Sequence, residues 1–178
     1  FDKRANICER VIAPARISEE LQNEAKKIAK RCVETLSGIG IFGVEMFLTK
    51  DGKILVNEIA PRPHNSGHYT IEACVTSQFE QHLRAITNLA LGETELIIPA
   101  VMMNILGEEG CDGPAVLEGI EEVLAIPGAS IHFYGKSIVK PFRKMGHITV
   151  IDKDIERAIE KAEKAKGLLR VIANNKSA

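Results

Sequence analysis

The stretch FGVEMFLTKDGKILVNEIA, residues 42–60, decides the fold. From Ile41 onward the apolar residues recur with period two, the spacing of a strand with two unlike faces. Asp51-Gly52 at its centre is a strong short-range hairpin signal. The spacing predicts strands over 42–49 and 53–60 joined by a two-residue loop. Lys50 then faces Lys53, Leu48 faces Leu55, Phe47 faces Val56, and Glu45 faces Glu58. Cβ atoms of facing residues lie ~5 Å apart, and like charges directly opposite destabilise a sheet. A hard divalent cation offsets that repulsion, because Mg²⁺ takes one or two carboxylates together with substrate phosphates. The alternatives are two glutamates pointing to solvent, or one of them protonated.

Immediately after Glu58 comes PRPHNSGHYT, residues 61–70, expected as a polar loop. Pro61 and Pro63 stiffen it, and Gly67 admits an unusual backbone. Arg62 suits bidentate contact with phosphate or carboxylate. His64 and His68 donate hydrogen bonds or carry protons near neutral pH. A solvated surface turn is the alternative. A second basic group, Lys136, Lys140, Arg143 and Lys144, falls between two expected strands. It suits either a phosphate monoester or an ordinary charged connection. His82, His132 and the four cysteines carry no assigned role, and no cysteine or histidine spacing suggests zinc.

Outward from the hairpin, residues 7–13 read as a short strand ended by Pro14. Ser18 is a helix N-cap with Glu19 and Glu20 in the first turn. Leu21, Ala25, Ile28, Ala29, Cys32, Val33 and Leu36 continue that helix for about five turns, and Gly38 stops it. A second helix is expected from Ser77 to Leu91, with Phe79, Leu83, Ile86 and Leu89 as its apolar stripe. Beyond Gly92 come strands near 97–106, 129–135 and 145–151, a short helix near 115–125, and a closing helix over 154–167. The expected boundary divides residues 1–95, a larger α+β piece, from 96–178, a small β-rich domain with a terminal helix. The 178 residues carry a net charge of −1, which gives no reason to expect nucleic acid or an anionic membrane as partner. No apolar run approaches the roughly 20 residues that span a bilayer. A first residue other than Met, within what reads as strand or loop, suggests a fragment.

Residues 42–70 resemble the ATP-grasp superfamily, and especially its 5-(carboxyamino)imidazole ribonucleotide synthases. Residues 7–17 (ICERVIAPARI), 77–86 (SQFEQHLRAI) and 142–148 (FRKMGHI) extend the resemblance over nearly the whole chain. The chain departs from the wider superfamily at Ala60, where an Asn is common, while Arg62 is kept. The resemblance implies an α+β fold, the C-terminal half of an ATP-grasp domain (antiparallel sheet with packed helices) followed by the small β-rich domain. It implies Glu45 and Glu58 as Mg²⁺ ligands, and Arg62, His64 and Lys144 as catalytic groups. Asn65, Ser66, His68, Lys136 and Arg143 become substrate-binding residues. The implied substrates are ATP, bicarbonate and aminoimidazole ribonucleotide, used through carboxyphosphate in purine biosynthesis. A cytoplasmic homodimer, inactive in this portion alone, completes the expectation. The alternatives are a formate-dependent glycinamide ribonucleotide transformylase, whose corresponding loop resembles PRPHDTG, and a non-catalytic scaffold.

Overall fold

The computed structural model describes residues 7–174 as two compact units, one of residues 14–97 and one of the residues up to Ala13 together with those from Ile98. The unit of residues 14–97 opens with helix α1 (Glu19–Leu36). The Ser18 side chain accepts the Leu21 N–H and so satisfies one of the unpaired donors of the first turn. The helix ends one residue earlier than the Gly38 stop: Ser37 takes the left-handed backbone, φ 50°, and donates its N–H to Glu34 O.

Strands β2 (Gly43–Leu48) and β3 (Ile54–Ala60) form the antiparallel hairpin. Its turn is not the expected two-residue loop. Thr49 donates its N–H to Lys53 O at 2.9 Å, and Gly52 donates to Thr49 O at 3.0 Å with φ 81°. Lys50, Asp51 and Gly52 therefore make a three-residue loop with a left-handed glycine at its end. This slips the tip by one residue, so Leu48 pairs with Ile54, Phe47 with Leu55 and Met46 with Val56. A bulge then follows between Glu45 and Met46, with Asn57 as the extra residue. Beyond it Glu45 pairs with Glu58, Val44 with Ile59 and Gly43 with Ala60.

Residues 61–70 are more ordered than a loop. A 3₁₀ turn spans Asn65–Gly67, and a one-turn helix α2 spans Thr70–Ala73. Helix α3 (Gln78–Ile86) starts at the N-cap Ser77 but stops short of Leu91. Asn88 adopts φ 57°, and Leu89 N–H reaches back five residues to Arg84 O at 2.9 Å, a left-handed C-terminal cap. The apolar stripe of this helix does not face inward: Phe79, Leu83 and Ile86 are exposed, whereas Gln78 and Gln81 are buried.

The other unit is built on a four-stranded antiparallel sheet of order β1-β4-β8-β6: β1 (Arg10–Ala13), β4 (Ala100–Leu106), β8 (Lys144–Ile151) and β6 (Ala129–Phe133). Helix α5 (Ile155–Leu168) presents Ala158, Ala162 and Ala165, all fully buried, to Val101, Met103, Ile105, Ile148 and Val150. Alanine at these helical spacings lets the helix axis approach the sheet closely. A second sheet, of order β7-β5-β9, contains β5 (Gly113–Glu118), β7 (Ile138–Val139) and β9 (Arg170–Ala173). The helix expected near 115–125 is therefore divided: its first part belongs to strand β5, and only α4 (Ile120–Leu124) is helical. Gly119 separates the two with φ 83°. Among the described residues no helix is long and apolar enough to cross a membrane.

The start of α5 carries a charge cluster with a testable pH signature. Asp152 receives Lys161 Nζ at 2.6 Å, Asp154 N–H at 2.9 Å and Arg157 Nη2 at 3.0 Å. These contacts, the Lys161 bond first, hold its carboxyl down at about 2. The unfolded value is about 3.9, so this group's stabilisation is complete above that value and is lost as pH falls through about 2. Urea midpoints measured from neutral to acidic pH should show that loss in the wild type and a shallower acid slope in Asp152→Asn.

Candidate metal and anion site

The hairpin bulge determines how the acidic site is assembled. Had the slipped register of the tip continued, Glu45 would face Asn57, and Glu58 would point to the other side of the sheet. The bulge instead returns the two glutamates to direct opposition and places the Asn57 amide beside them, with Nδ2 donating to Glu45 Oε2 at 3.3 Å. His64 Nε2 lies 3.6 Å from Glu45 Oε1 and 3.8 Å from Glu58 Oε1. One potential ligand atom from each of the three residues falls within 4.8 Å of the others. His64 is close-fitted: a Cβ at Gly43 would stand 2.6 Å from His64 Cβ, so only glycine leaves room for the ring at that strand position.

The donor set fits a hard cation. Two facing carboxylates supply anionic oxygens, and the opposed charges gain most from an intervening divalent ion. His64 is arranged as a donor. Its Nδ1 takes the N–H of Ser66 at 3.4 Å and lies 2.8 Å from Ser66 Oγ. A main-chain N–H only donates, so Nδ1 accepts and the neutral ring carries its proton on Nε2, toward the carboxylates. While that bond stands, Glu45 and Glu58 are the groups of this cluster that could hold a cation, with the His64 Nε2–H directed toward them.

The turn beyond is fastened residue by residue. Arg62 N–H bonds Ala60 O at 2.8 Å, and its guanidinium Nη1 donates to Pro63 O at 3.1 Å, keeping the head at the exposed edge of the turn. Asn65 opens the 3₁₀ turn and accepts the His68 N–H at 3.2 Å. His68 stacks on Phe79, ring centroids 5.5 Å apart and 20° from parallel. Glu45, Glu58, Arg62, His64, Asn65, Ser66 and His68 thus belong to one hairpin and the turn that follows it. His82 has a structural use: its Nδ1 accepts the Ile41 N–H at 3.1 Å.

The basic residues belong to the other unit. Lys136 Nζ donates to Lys144 O at 2.5 Å and lies 5.8 Å from the centroid of the Tyr134 ring. Burial, with the charges of Arg143 and Lys144 beside it, lowers the Lys136 pKa below the usual lysine value. Arg143 Nη1 donates to Ile138 O at 2.9 Å. Next to them His132 and His147 stack at 4.4 Å, and Tyr134 Oη sits 3.0 Å from His147 Nδ1. Sequence alone places Tyr134 and His147 beside the basic group but carries no sign of the bond between them, and it carries no sign of the use of Gln78.

A carboxylate-bearing hairpin with helices in one unit and antiparallel sheets in the other is the α+β arrangement expected of the carboxyl-terminal part of an ATP-grasp protein. Residues 2–79 match the ATP-grasp domain model, and residues 100–161 match the phosphoribosylaminoimidazole carboxylase C-terminal domain. The chain belongs to the branch of the ATP-grasp superfamily that carries this C-terminal domain, as the resemblance of residues 42–70 implied. It is 51% identical over 158 residues to a phosphoribosylaminoimidazole carboxylase of Candida albicans, covering 86% of this chain and 28% of that protein. The crystal structure of N5-carboxyaminoimidazole ribonucleotide synthetase from Thermotoga maritima is 67% identical, with a TM-score of 0.90 over 93% of this chain and 46% of that one. The enzyme from Aspergillus clavatus, in complex with ADP and 5-aminoimidazole ribonucleotide, is 43% identical, with a TM-score of 0.82 over 90% of this chain and 43% of that one. The chain spans less than half the length of these relatives.

Proposed function

We propose that the full-length protein carboxylates aminoimidazole ribonucleotide with bicarbonate, in an ATP- and Mg²⁺-dependent ligase reaction of purine biosynthesis. The observation that carries this reading is the Glu45–Glu58 pair, returned to opposition by a bulge in a chain whose relatives have been seen with ADP and the ribonucleotide. In the first stage a bicarbonate oxygen attacks the γ-phosphorus, the bond to the β,γ-bridging oxygen breaks, and ADP leaves. In the second, the exocyclic amine of the ribonucleotide attacks the carboxyphosphate carbon. Inorganic phosphate departs and the amine gives up a proton. A Mg²⁺ ion held by Glu45 and Glu58 would supply positive charge to offset that of the phosphates.

Glu45 and Glu58 hold that ion. Arg62 offsets charge on the transferred phosphoryl group, and His64 donates from Nε2 to the bicarbonate or its phosphorylated product. Asn65, Ser66 and His68 bind and orient the anion. Lys136 and Arg143 bind the ribonucleotide phosphate, and Lys144 acts nearer the reacting amine. The same reading takes residues 1–95 as ATP-grasp and 96–178 as the carboxyl-terminal domain. It includes a cytoplasmic homodimer, and no turnover by these 178 residues alone.

ADP release by the full-length protein tests it. Turnover is expected with aminoimidazole ribonucleotide plus bicarbonate and none with glycinamide ribonucleotide plus formate. The reverse pattern moves the assignment to a transformylase. No turnover with either pair, from folded protein, favours a scaffold.

A further inference from the structure

Gln78 is a buried polar side chain at the first turn of α3, facing the anion-binding turn rather than solvent. Its Oε1 accepts the His64 N–H at 2.9 Å. That bond fixes the amide's orientation, because the main-chain N–H only donates. The amide nitrogen therefore lies on the other side, where Nε2 donates to His64 O at 2.8 Å and meets His68 Nδ1 at 2.9 Å. Both amide hydrogens are used, so His68 Nδ1 accepts, and the neutral ring carries its proton on Nε2. A second strap holds the same turn: Gln78 N–H donates to Thr70 Oγ1 at 2.9 Å, and that hydroxyl donates to Gly67 O at 2.6 Å. The fit is tight, since a Cβ on Gly67 would fall 2.6 Å from Gln78 Oε1.

We propose that Gln78 is a positioning residue for the anion-binding turn. Its one carboxamide clamps both main-chain groups of His64 and sets His68 as the Nε2–H tautomer, so that His68 meets an anion only as a donor through Nε2. The anion's identity rests on the reading of the site given above; the clamp does not. No other side-chain type of this size supplies one acceptor and two donors from a single planar head. Glutamate keeps the acceptor and loses both donors. Leucine loses all three.

The test uses full-length protein with ¹⁵N-labelled histidine, and long-range ¹H–¹⁵N spectra that identify which ring nitrogen carries the proton. In the wild type His68 is expected to show an unprotonated Nδ1 and a protonated Nε2. In Gln78→Glu the His68 proton moves to Nδ1, toward the new carboxylate. Gln78→Glu is expected to lose about 10²-fold in kcat, the scale of a catalytic group displaced by a fraction of its length, while KM for ATP changes less than about 3-fold. Gln78→Leu leaves His68 exchanging between tautomers. A wild-type spectrum with the proton on Nδ1 overturns the proposal, and it needs no variant to fold. So does a Gln78→Glu protein that loses activity and thermal stability together with the His68 tautomer unchanged, because that is plain loop support. A wild type with the expected tautomer but no turnover on the ribonucleotide and bicarbonate leaves the clamp standing and removes the substrate assignment instead.

Discussion

Replacing Glu58 by Gln in the full-length protein is expected to lower ADP release by about two to three orders of magnitude without destabilising the fold. The two halves of that expectation have the same origin. Glu45 and Glu58 face each other across β2 and β3, and the described structure holds no basic side chain between them other than His64 at 3.6 and 3.8 Å. On the reading proposed above, the second carboxylate would help hold the cation that offsets charge during phosphoryl transfer, and losing that contact is expected to cost about 10²–10³ in kcat, or about 2.7–4 kcal/mol. Without metal, the same carboxylate repels its neighbour, and its nearest offsetting group is His64 Nε2 at 3.8 Å. Gln is nearly isosteric, so the apo protein should melt at the same temperature or slightly higher. A fall in both activity and melting temperature would mean that Glu58 is part of the scaffold. Glu45→Gln should behave alike, with an additional loosening of Asn57, whose amide then has a weaker acceptor at 3.3 Å.

The second large effect is on stability, and its sign reverses between adjacent residues of β8. Ile148 and Thr149 are both fully buried. Ile148 belongs to the core cluster with Val101, Met103 and the alanines of α5, and it pairs with Met103 on one side and Ile131 on the other. Ile148→Ala removes three carbons from a close-packed region whose neighbours sit on strands and cannot collapse inward. The expected loss is about 2–5 kcal/mol. Thr149 Oγ1 is buried with no hydrogen-bond partner among the described residues. Thr149→Val removes that hydroxyl and keeps the shape, so stability should hold or rise by about 1 kcal/mol. Urea denaturation with unchanged slope measures both. Loss of stability in Thr149→Val would show that the hydroxyl is paired.

Much of this was legible in the sequence, and the misses have physical causes. Glu45 and Glu58 were expected to face each other on the strength of a two-residue turn. They do face each other, through a three-residue turn whose slip is cancelled by the bulge at Asn57. Two local irregularities compensated, and nothing in the alternation of apolar residues reports either one. Val116, Leu117, Ile120, Val123 and Leu124 fall at helical spacing, which is compatible with the helix expected near 115–125. Gly119 breaks that run, and the strand pairing of 115–118 with 170–173 joins segments about fifty residues apart in sequence, which a local window does not see.

Helix α3 was misread in a more instructive way. A periodicity argument assigns the inside to Phe79, Leu83 and Ile86 and leaves Gln78 to solvent. The structure buries Gln78 because the main chain around His64 needs partners that neither a strand nor a helix supplies. Unpaired main-chain groups in an irregular turn next to a site therefore recruit a polar side chain from a neighbouring helix. A glutamine directly after an N-cap serine is consistent with that use, but the sequence alone does not single it out. Ser18, Ser77 and Asp154, by contrast, announced three helix starts correctly, since each N-cap bond spans only two or three residues.

The most direct measurement of the central claim is Mn²⁺ binding, read by electron paramagnetic resonance, in the full-length protein with ADP present. The Glu45–Glu58 account predicts a bound-metal signal in the wild type that weakens at least about tenfold in Glu45→Gln and in Glu58→Gln, while Asp152→Asn leaves it unchanged. Equal Mn²⁺ affinity in the wild type and both glutamine variants would contradict it, and would place the cation elsewhere in the protein.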